Sequence, residues 1–156
     1  MTSLRQHLLV QPDLPTYLEE LAMLNFQSPG FLRRVLLADA VSAVAMGLLL
    51  AAGAGMLEPL LGLPATLLRE AGLVLLPIAA FVAYAGLRKE LSRRLVWAVI
   101  VVNALWVVDS FVLLFSGWVA PTILGQVFIA GQAVVVAVFA ELEFFGVRRA
   151  RINATA

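Results

Sequence analysis

Apolar residues occur in four long runs along the chain, separated by short stretches that hold charged residues, proline and glycine. Each run is close to the roughly 20 residues that an α-helix needs to cross about 30 Å of hydrocarbon. The runs cover residues 35–57, 64–87, 95–115 and 122–147. Such runs leave almost no polar face to cover them in water. The pattern therefore predicts an all-α integral membrane protein with a four-transmembrane-helix bundle over residues 31–147.

The first 30 residues have a different pattern. Leucine and tyrosine recur at helical spacing over residues 14–24, and Asp13 and Pro15 are typical of a helix start. We expect residues 1–30 to form a short amphipathic arm that docks on the basic loops or on a partner protein. The alternative is a loosely ordered arm. Residues 148–156 are expected to form a cytoplasmic tail.

Composition and charge agree with a membrane protein. Apolar residues make up 62% and charged residues 13% of the chain, against about 45–50% and about 25% in soluble domains. Basic residues cluster at 33–34, 88–94 and 148–151, whereas Arg69 stands alone on the opposite side of the predicted spans. The positive-inside rule then places both termini and the 88–94 connection in the cytoplasm. We expect a multi-pass protein of a bacterial inner membrane.

Several classes of chemistry are disfavoured by what the chain lacks. It contains no cysteine, which excludes disulfides, thiolate catalysis and Cys-ligated metal centres. The single histidine, His7, lies outside the apolar runs, and no phosphate-binding glycine motif is present. We therefore predict no catalytic residue, no metal, no cofactor and no nucleic-acid partner, and an enzyme is not favoured.

The first apolar run holds an acid, Asp39, with Ser42 one turn later. A charge at bilayer depth costs several kcal/mol unless it is paired, so such a residue is a candidate for a ligand or proton site. Small residues follow Asp39 at every fourth position and form a predicted helix-packing seam, since they let another helix approach closely. They are Ala43, Gly47, Ala51 and Gly55.

The fourth run carries a similar row, in which Gly125, Ala133 and Ala137 lead to Glu141. Asp39 and Glu141 are expected at similar depth, and they would be neighbours if the two rows met. The alternative is that each acid pairs with a nearby arginine at the interface.

The third run places Asn103, Trp106 and Asp109 within an arc of about 120° at 100° per residue. A polar face of this width should point into the bundle or a cavity. One hypothesis is a polar clamp in which Asp109 pairs with Arg69 and Gln126 joins them. The other is a small polar pocket that opens outward, with Trp106 as an apolar wall.

Three short motifs add a family resemblance: Leu61-Gly62-Leu63-Pro64, Ala71-Gly72-Leu73 and Asn103-Ala104-Leu105-Trp106. With four spans in residues 33–147, they resemble the small four-helix bacterial membrane proteins grouped as DoxX-like. That resemblance implies a role such as an accessory subunit of a membrane oxidoreductase, and it carries over no catalytic residue. Small multidrug transporters also have an acid in their first helix, but the charge bias and the position of Asp39 depart from their pattern.

The sequence therefore predicts an accessory or ligand-binding membrane protein with a polar cluster between its helices. Its expected partners are the lipid bilayer, a lipophilic small molecule, and further copies of itself or a larger membrane complex. The alternative is a small proton-coupled transporter that works as an oligomer. The candidate ligand or proton-site residues are Asp39, Ser42, Asn103, Trp106, Asp109 and Gln126.

Overall fold

The computed structural model describes residues 29–149, which form four helices joined by short connections. They are α1 (Pro29–Leu61), α2 (Ala65–Leu87), α3 (Arg93–Phe115) and α4 (Ile123–Arg149). All four are long and apolar enough to cross a membrane, which confirms the predicted all-helical class with four candidate spans. The predicted arm, apart from residues 29 and 30, and the tail beyond Arg149 lie outside the described residues.

Helix α1 is longer than predicted at both ends. Pro29 begins it, and proline suits a first turn because its missing N–H is not needed there. Pro59 lies inside the last turn and does not end the helix. The end comes at Gly62, whose φ of 66° is left-handed and whose N–H donates to the Glu58 carbonyl at 2.8 Å. The stop signal is thus Gly62, not the Glu58-Pro59 pair.

The helices pack in the order α2, α1, α4, α3. Helix α1 lies along both α2 and α4, α3 lies along α4, and α2 and α3 touch only slightly. Helices α1 and α3 have no close backbone contact and face each other diagonally. We call the end that holds the start of α1 and the end of α4 the terminal end, and the other the far end. At the terminal end, Arg33 donates to the carbonyls of Arg88 and Lys89 at 2.7 and 3.0 Å and so holds the α2–α3 connection against α1.

Two apolar clusters fill the bundle, one near each end. The terminal cluster includes Leu32, Leu36, Val82, Val96 and Val147. The far cluster includes Leu50, Leu61, Leu68, Leu75 and Ile129. The outward faces also carry large apolar side chains, which agrees with helices long and apolar enough to cross a membrane.

The contact between α1 and α2 is tight, and we call it the closed seam. A Cβ atom at Gly72 would lie 2.5 Å from the Ala51 nitrogen and 2.6 Å from the Gly47 carbonyl oxygen. Only glycine allows this approach of the two backbones. Two of the predicted small residues, Gly47 and Ala51, thus face α2, whereas Gly55 is exposed with no atom within 4 Å of a Cβ. A row of every fourth residue drifts by about 40° per step around a helix, which turns Gly55 away.

The contact between α1 and α4 differs, and we call it the open seam. At the terminal end, a Cβ on Gly146 would lie 3.0 Å from Leu32 Cδ1. At the far end, a Cβ on Gly125 would collide with the Leu61 carbonyl oxygen. Between them, Gly131 is exposed and has no atom within 4 Å of a Cβ. The two helices are therefore in contact at both ends, whereas Gly131 between them makes no close contact with α1.

Candidate ligand site

Three buried polar side chains from three helices meet inside the bundle, and we call them the polar cluster. Asp39 of α1, Asn103 of α3 and Glu143 of α4 are exposed by 3%, 5% and 0%. The Asn103 amide nitrogen donates to Asp39 Oδ2 at 2.9 Å and to Glu143 Oε2 at 3.4 Å. One amide thus bridges two carboxyl groups, and it links α1 and α4 through α3.

The polar cluster has more acceptors than donors. Glu143 Oε1 is buried and has no hydrogen-bond partner among the described residues. The second carboxyl oxygen of Asp39 also has no partner among residues 29–149, and no basic side chain there contacts either acid. Two carboxylates buried together repel each other and lose hydration without a compensating cation. The cluster therefore favours the binding of positive charge, either as a proton or as a cationic group.

A cavity of about 320 Å³, the inner cavity, lies beside the polar cluster between the two apolar clusters. Asp39 and Asn103 lie in its wall. Most of the remaining lining is apolar. It includes Ala43, Met46, Leu75, Ile78, Val82, Val102, Trp106, Phe128, Val135 and Val136. The volume falls at the lower end of the roughly 300–1,000 Å³ usual for small-molecule sites, and such a mostly apolar lining with few polar groups is typical of them.

The mouth of the inner cavity lies along α4. Its exposed lining residues are Val127, Gly131 and Val135, at every fourth position of that helix. Ser42 and Met46 line the cavity from α1. The mouth therefore coincides with the middle of the open seam, where Gly131 makes no close contact with α1.

A second cavity of about 310 Å³, the outer cavity, lies toward the far end, between α2 and α3. Asp109 and Trp118 are exposed at its rim. Trp106, Phe128 and Gln132 line both cavities and form the wall between them. Trp106 is thus a wall of a pocket that includes Asp109, but most of that pocket is apolar.

The structure brings together only some of the predicted site residues. Asp39, Ser42, Asn103 and Trp106 all line the inner cavity. Ser42 Oγ donates to the Asp39 backbone carbonyl at 3.1 Å, which leaves the Asp39 carboxyl group free for other partners.

The predicted partners of Asp109 are not gathered around it. Gln126 is exposed and donates to the Pro121 carbonyl at 3.5 Å. Asp109 and Arg69 are both exposed, and residues 29–149 contain no ion pair between them. Their pairing stays a prediction.

Glu143, and not Glu141, is the acid next to Asp39. Glu141 is exposed, whereas Glu143 is fully buried. The row from Gly125 to Glu141 spans 16 residues and turns about 160° off its starting face at 3.6 residues per turn. Glu143 is 18 residues from Gly125, which is five full turns, so both lie on the buried side. The angular positions of residues around the whole helix therefore identify Glu143 from the sequence.

Metal binding has no support in the described range, because residues 29–149 contain no group of three or more His, Cys, Asp or Glu side chains placed to hold a metal ion. The comparisons with known proteins add no assignment: no protein-family model, curated protein or solved structure matches the chain. Function is therefore inferred from the geometry of the bundle.

Proposed function

We propose that the protein is a multi-pass protein of a bacterial inner membrane that binds a lipophilic or amphiphilic small molecule in the inner cavity. One observation carries the proposal: an apolar cavity with a buried carboxyl group in its wall opens along the open seam. Because α4 presents exposed valines beside this mouth, lipid chains would cover it in a bilayer. A ligand dissolved in the bilayer would enter without crossing water.

The cellular context of this binding role follows from the charge pattern and the size of the chain. The basic clusters favour cytoplasmic termini. Four helices alone enclose little volume, which supports self-association or docking on a larger membrane complex. The DoxX-like resemblance supports an accessory role in such a complex. The proposal is one of binding without catalysis.

A proton-coupled transporter working as an oligomer is the second candidate. The observation that favours it is the polar cluster, where two carboxyl groups share one amide donor and Glu143 Oε1 has no hydrogen-bond partner within residues 29–149. Such a site would exchange a proton for a cationic ligand. A pH-driven flux of ligand into vesicles that contain the protein, lost in Glu143→Gln and kept in Glu141→Gln, would favour transport over simple binding.

Trp106 provides a direct test of ligand binding. The chain has three tryptophans, so Trp97→Phe with Trp118→Phe leaves Trp106 as the only one. Ring-brominated phenylbutanol is then titrated into the protein in phosphatidylcholine nanodiscs, because bromine quenches tryptophan fluorescence on contact. We expect saturable quenching of Trp106.

The matched controls separate binding in the cavity from partition into lipid. A variant that keeps Trp118 alone reports the rim of the outer cavity and should show weak quenching that rises linearly. Adding Gly131→Leu to the Trp106 variant places a side chain at the mouth and should remove saturation. Equal, linear quenching in all three variants would refute the proposed binding site.

A further inference from the structure

We infer that the ligand of the inner cavity is an organic cation, a protonated amine or quaternary ammonium group with an apolar body, held against Asp39. This inference rests on the proposed binding function and specifies its ligand class. It is carried by three observations: the charge imbalance of the polar cluster, the free oxygen of Asp39, and the apolar lining beyond it.

The first observation is that no basic side chain of the described part of the chain contacts the polar cluster. Asp39 and Glu143 are its acids, and Asn103 supplies the hydrogen bonds that α3 makes to it. Helix α2 faces the same cavity with Leu75, Ile78 and Val82 and brings no charge. A buried carboxylate without a countercharge is unfavourable, so a ligand that brings a positive charge gains more than a neutral one of equal size.

The second observation is that one of the two carboxyl oxygens of Asp39 is available to a ligand. Asp39 lines the inner cavity, and its Oδ2 is already bonded to Asn103. Its other oxygen has no partner among residues 29–149. Glu143 lies behind Asn103 and outside the cavity lining, so it does not contact a ligand in the inner cavity. A cationic head placed at this wall would therefore pair with Asp39.

The third observation is the apolar lining, which does not suit a hard divalent metal ion. A hard divalent cation prefers six or more oxygen ligands, whereas the inner cavity offers one carboxylate in a mostly apolar lining. Trp106 and Phe128 also line it, and aromatic faces attract organic ammonium groups through their π-electrons. An ammonium group with an apolar body matches both parts of the cavity.

The test compares ligands that differ only in charge. Phenylbutyltrimethylammonium, its neutral isostere with carbon in place of nitrogen, and phenylbutanesulfonate are titrated by calorimetry into the full chain in phosphatidylcholine nanodiscs. Heats from empty nanodiscs are subtracted. We expect the cation to bind at least tenfold more tightly than the neutral isostere, a difference of about 1.4 kcal/mol, and the sulfonate not to bind.

Two matched variants locate the charge that discriminates. Asp39→Asn keeps the shape of the side chain and should reduce the affinity for the cation to that for the neutral isostere. The affinity for the neutral isostere should stay within about twofold of its value in the parent protein, which would show that the cavity is intact. Asp109→Asn removes the acid of the outer cavity and should leave all affinities unchanged.

The outcomes distinguish a failure of the cationic ligand from a failure of the proposed binding function. Equal affinity of the cation and the neutral isostere in the parent protein would overturn the cationic ligand and leave the binding function standing. A preference for the cation that survives Asp39→Asn but disappears in Asp109→Asn would also overturn it. If none of the three ligands binds, the proposed binding function itself fails.

Discussion

Helix α1 packs against two neighbours in opposite ways. In the closed seam, Gly72 of α2 lies so near α1 that a Cβ would meet the backbone at Ala51 and Gly47. In the open seam, Gly131 of α4 lies between the two contacts with α1, and a Cβ there would have no atom of the described residues within 4 Å. The same residue type therefore serves two purposes. At Gly72 it lets two backbones touch, and at Gly131 it keeps a mouth clear.

The open seam has close backbone contact at its far end, but its middle is held by other means. Gly146 and Gly125 bring α4 to α1 at the two ends. Between the ends, the Asn103 side chain connects Asp39 of α1 to Glu143 of α4. A polar bridge replaces close packing here, and the space that it leaves is the inner cavity.

The largest effect is expected from a comparison of two single variants, each of which replaces one glycine of a seam by alanine. Gly72→Ala should lower the free energy of unfolding by about 1–3 kcal/mol, because the backbones must separate to admit the Cβ. Gly131→Ala should leave it unchanged or raise it by up to about 1 kcal/mol, because alanine is the better helix former and space is available. Unfolding in mixed micelles, followed by circular dichroism, measures both. Equal effects of the two substitutions would erase the distinction between the seams.

The next largest effect on stability is expected from removing the Asn103 bridge across the open seam. Asn103→Leu removes the amide that donates to both buried carboxyl groups and should cost about 2 kcal/mol of stability. Adding Glu143→Gln supplies a new amide that can donate to Asp39, so the double variant should be more stable than Asn103→Leu alone. The same unfolding measurement applies.

A double-mutant comparison makes this bridge falsifiable. Glu141→Gln in the Asn103→Leu background is the matched control and should restore nothing, since Glu141 is exposed. Equal rescue by the two substitutions would show that net charge, and not a bridge at Glu143, sets the stability.

Thr122 tests the far end of the open seam with a smaller effect. Its Oγ1 donates to the Leu60 carbonyl at 2.7 Å and accepts from the Gly125 N–H at 3.1 Å. Thr122→Val keeps the shape, loses both bonds, and should cost about 1 kcal/mol. Thr66→Val, at an exposed position in the first turn of α2, is the matched control and should change stability by less than about 0.5 kcal/mol. A cost at Thr66 equal to that at Thr122 would contradict the role of Thr122 as a clamp.

The smallest effect is expected at Asp109, which belongs to neither seam. Because its side chain is exposed at the rim of the outer cavity, Asp109→Asn should shift stability by less than about 0.5 kcal/mol. The polar clamp predicted from the sequence gives the opposite result, in which Asp109→Asn melts earlier and Arg69→Gln partly restores it. Thermal unfolding of the two variants decides between these expectations.

The helices could be predicted because runs of apolar residues reflect a local requirement, namely the length that spans hydrocarbon. Asp39, Asn103 and Trp106 could also be identified, since a polar residue in such a run needs an explanation wherever it points. Glu143 was missed because a row of every fourth residue was followed across a helix whose period is 3.6. The inner cavity could not be predicted, because it depends on the distance between α1 and α4.

If a lipophilic molecule occupies the inner cavity through the open seam, a bound probe should be found there. Crystals of the protein grown in a lipid phase with ring-brominated phenylbutanol would locate the bromine by its anomalous scattering. We predict a bromine peak inside the inner cavity, against Trp106 and Phe128, that disappears in Gly131→Leu. Bromine found only in the outer cavity or on the lipid-facing surface would contradict the account.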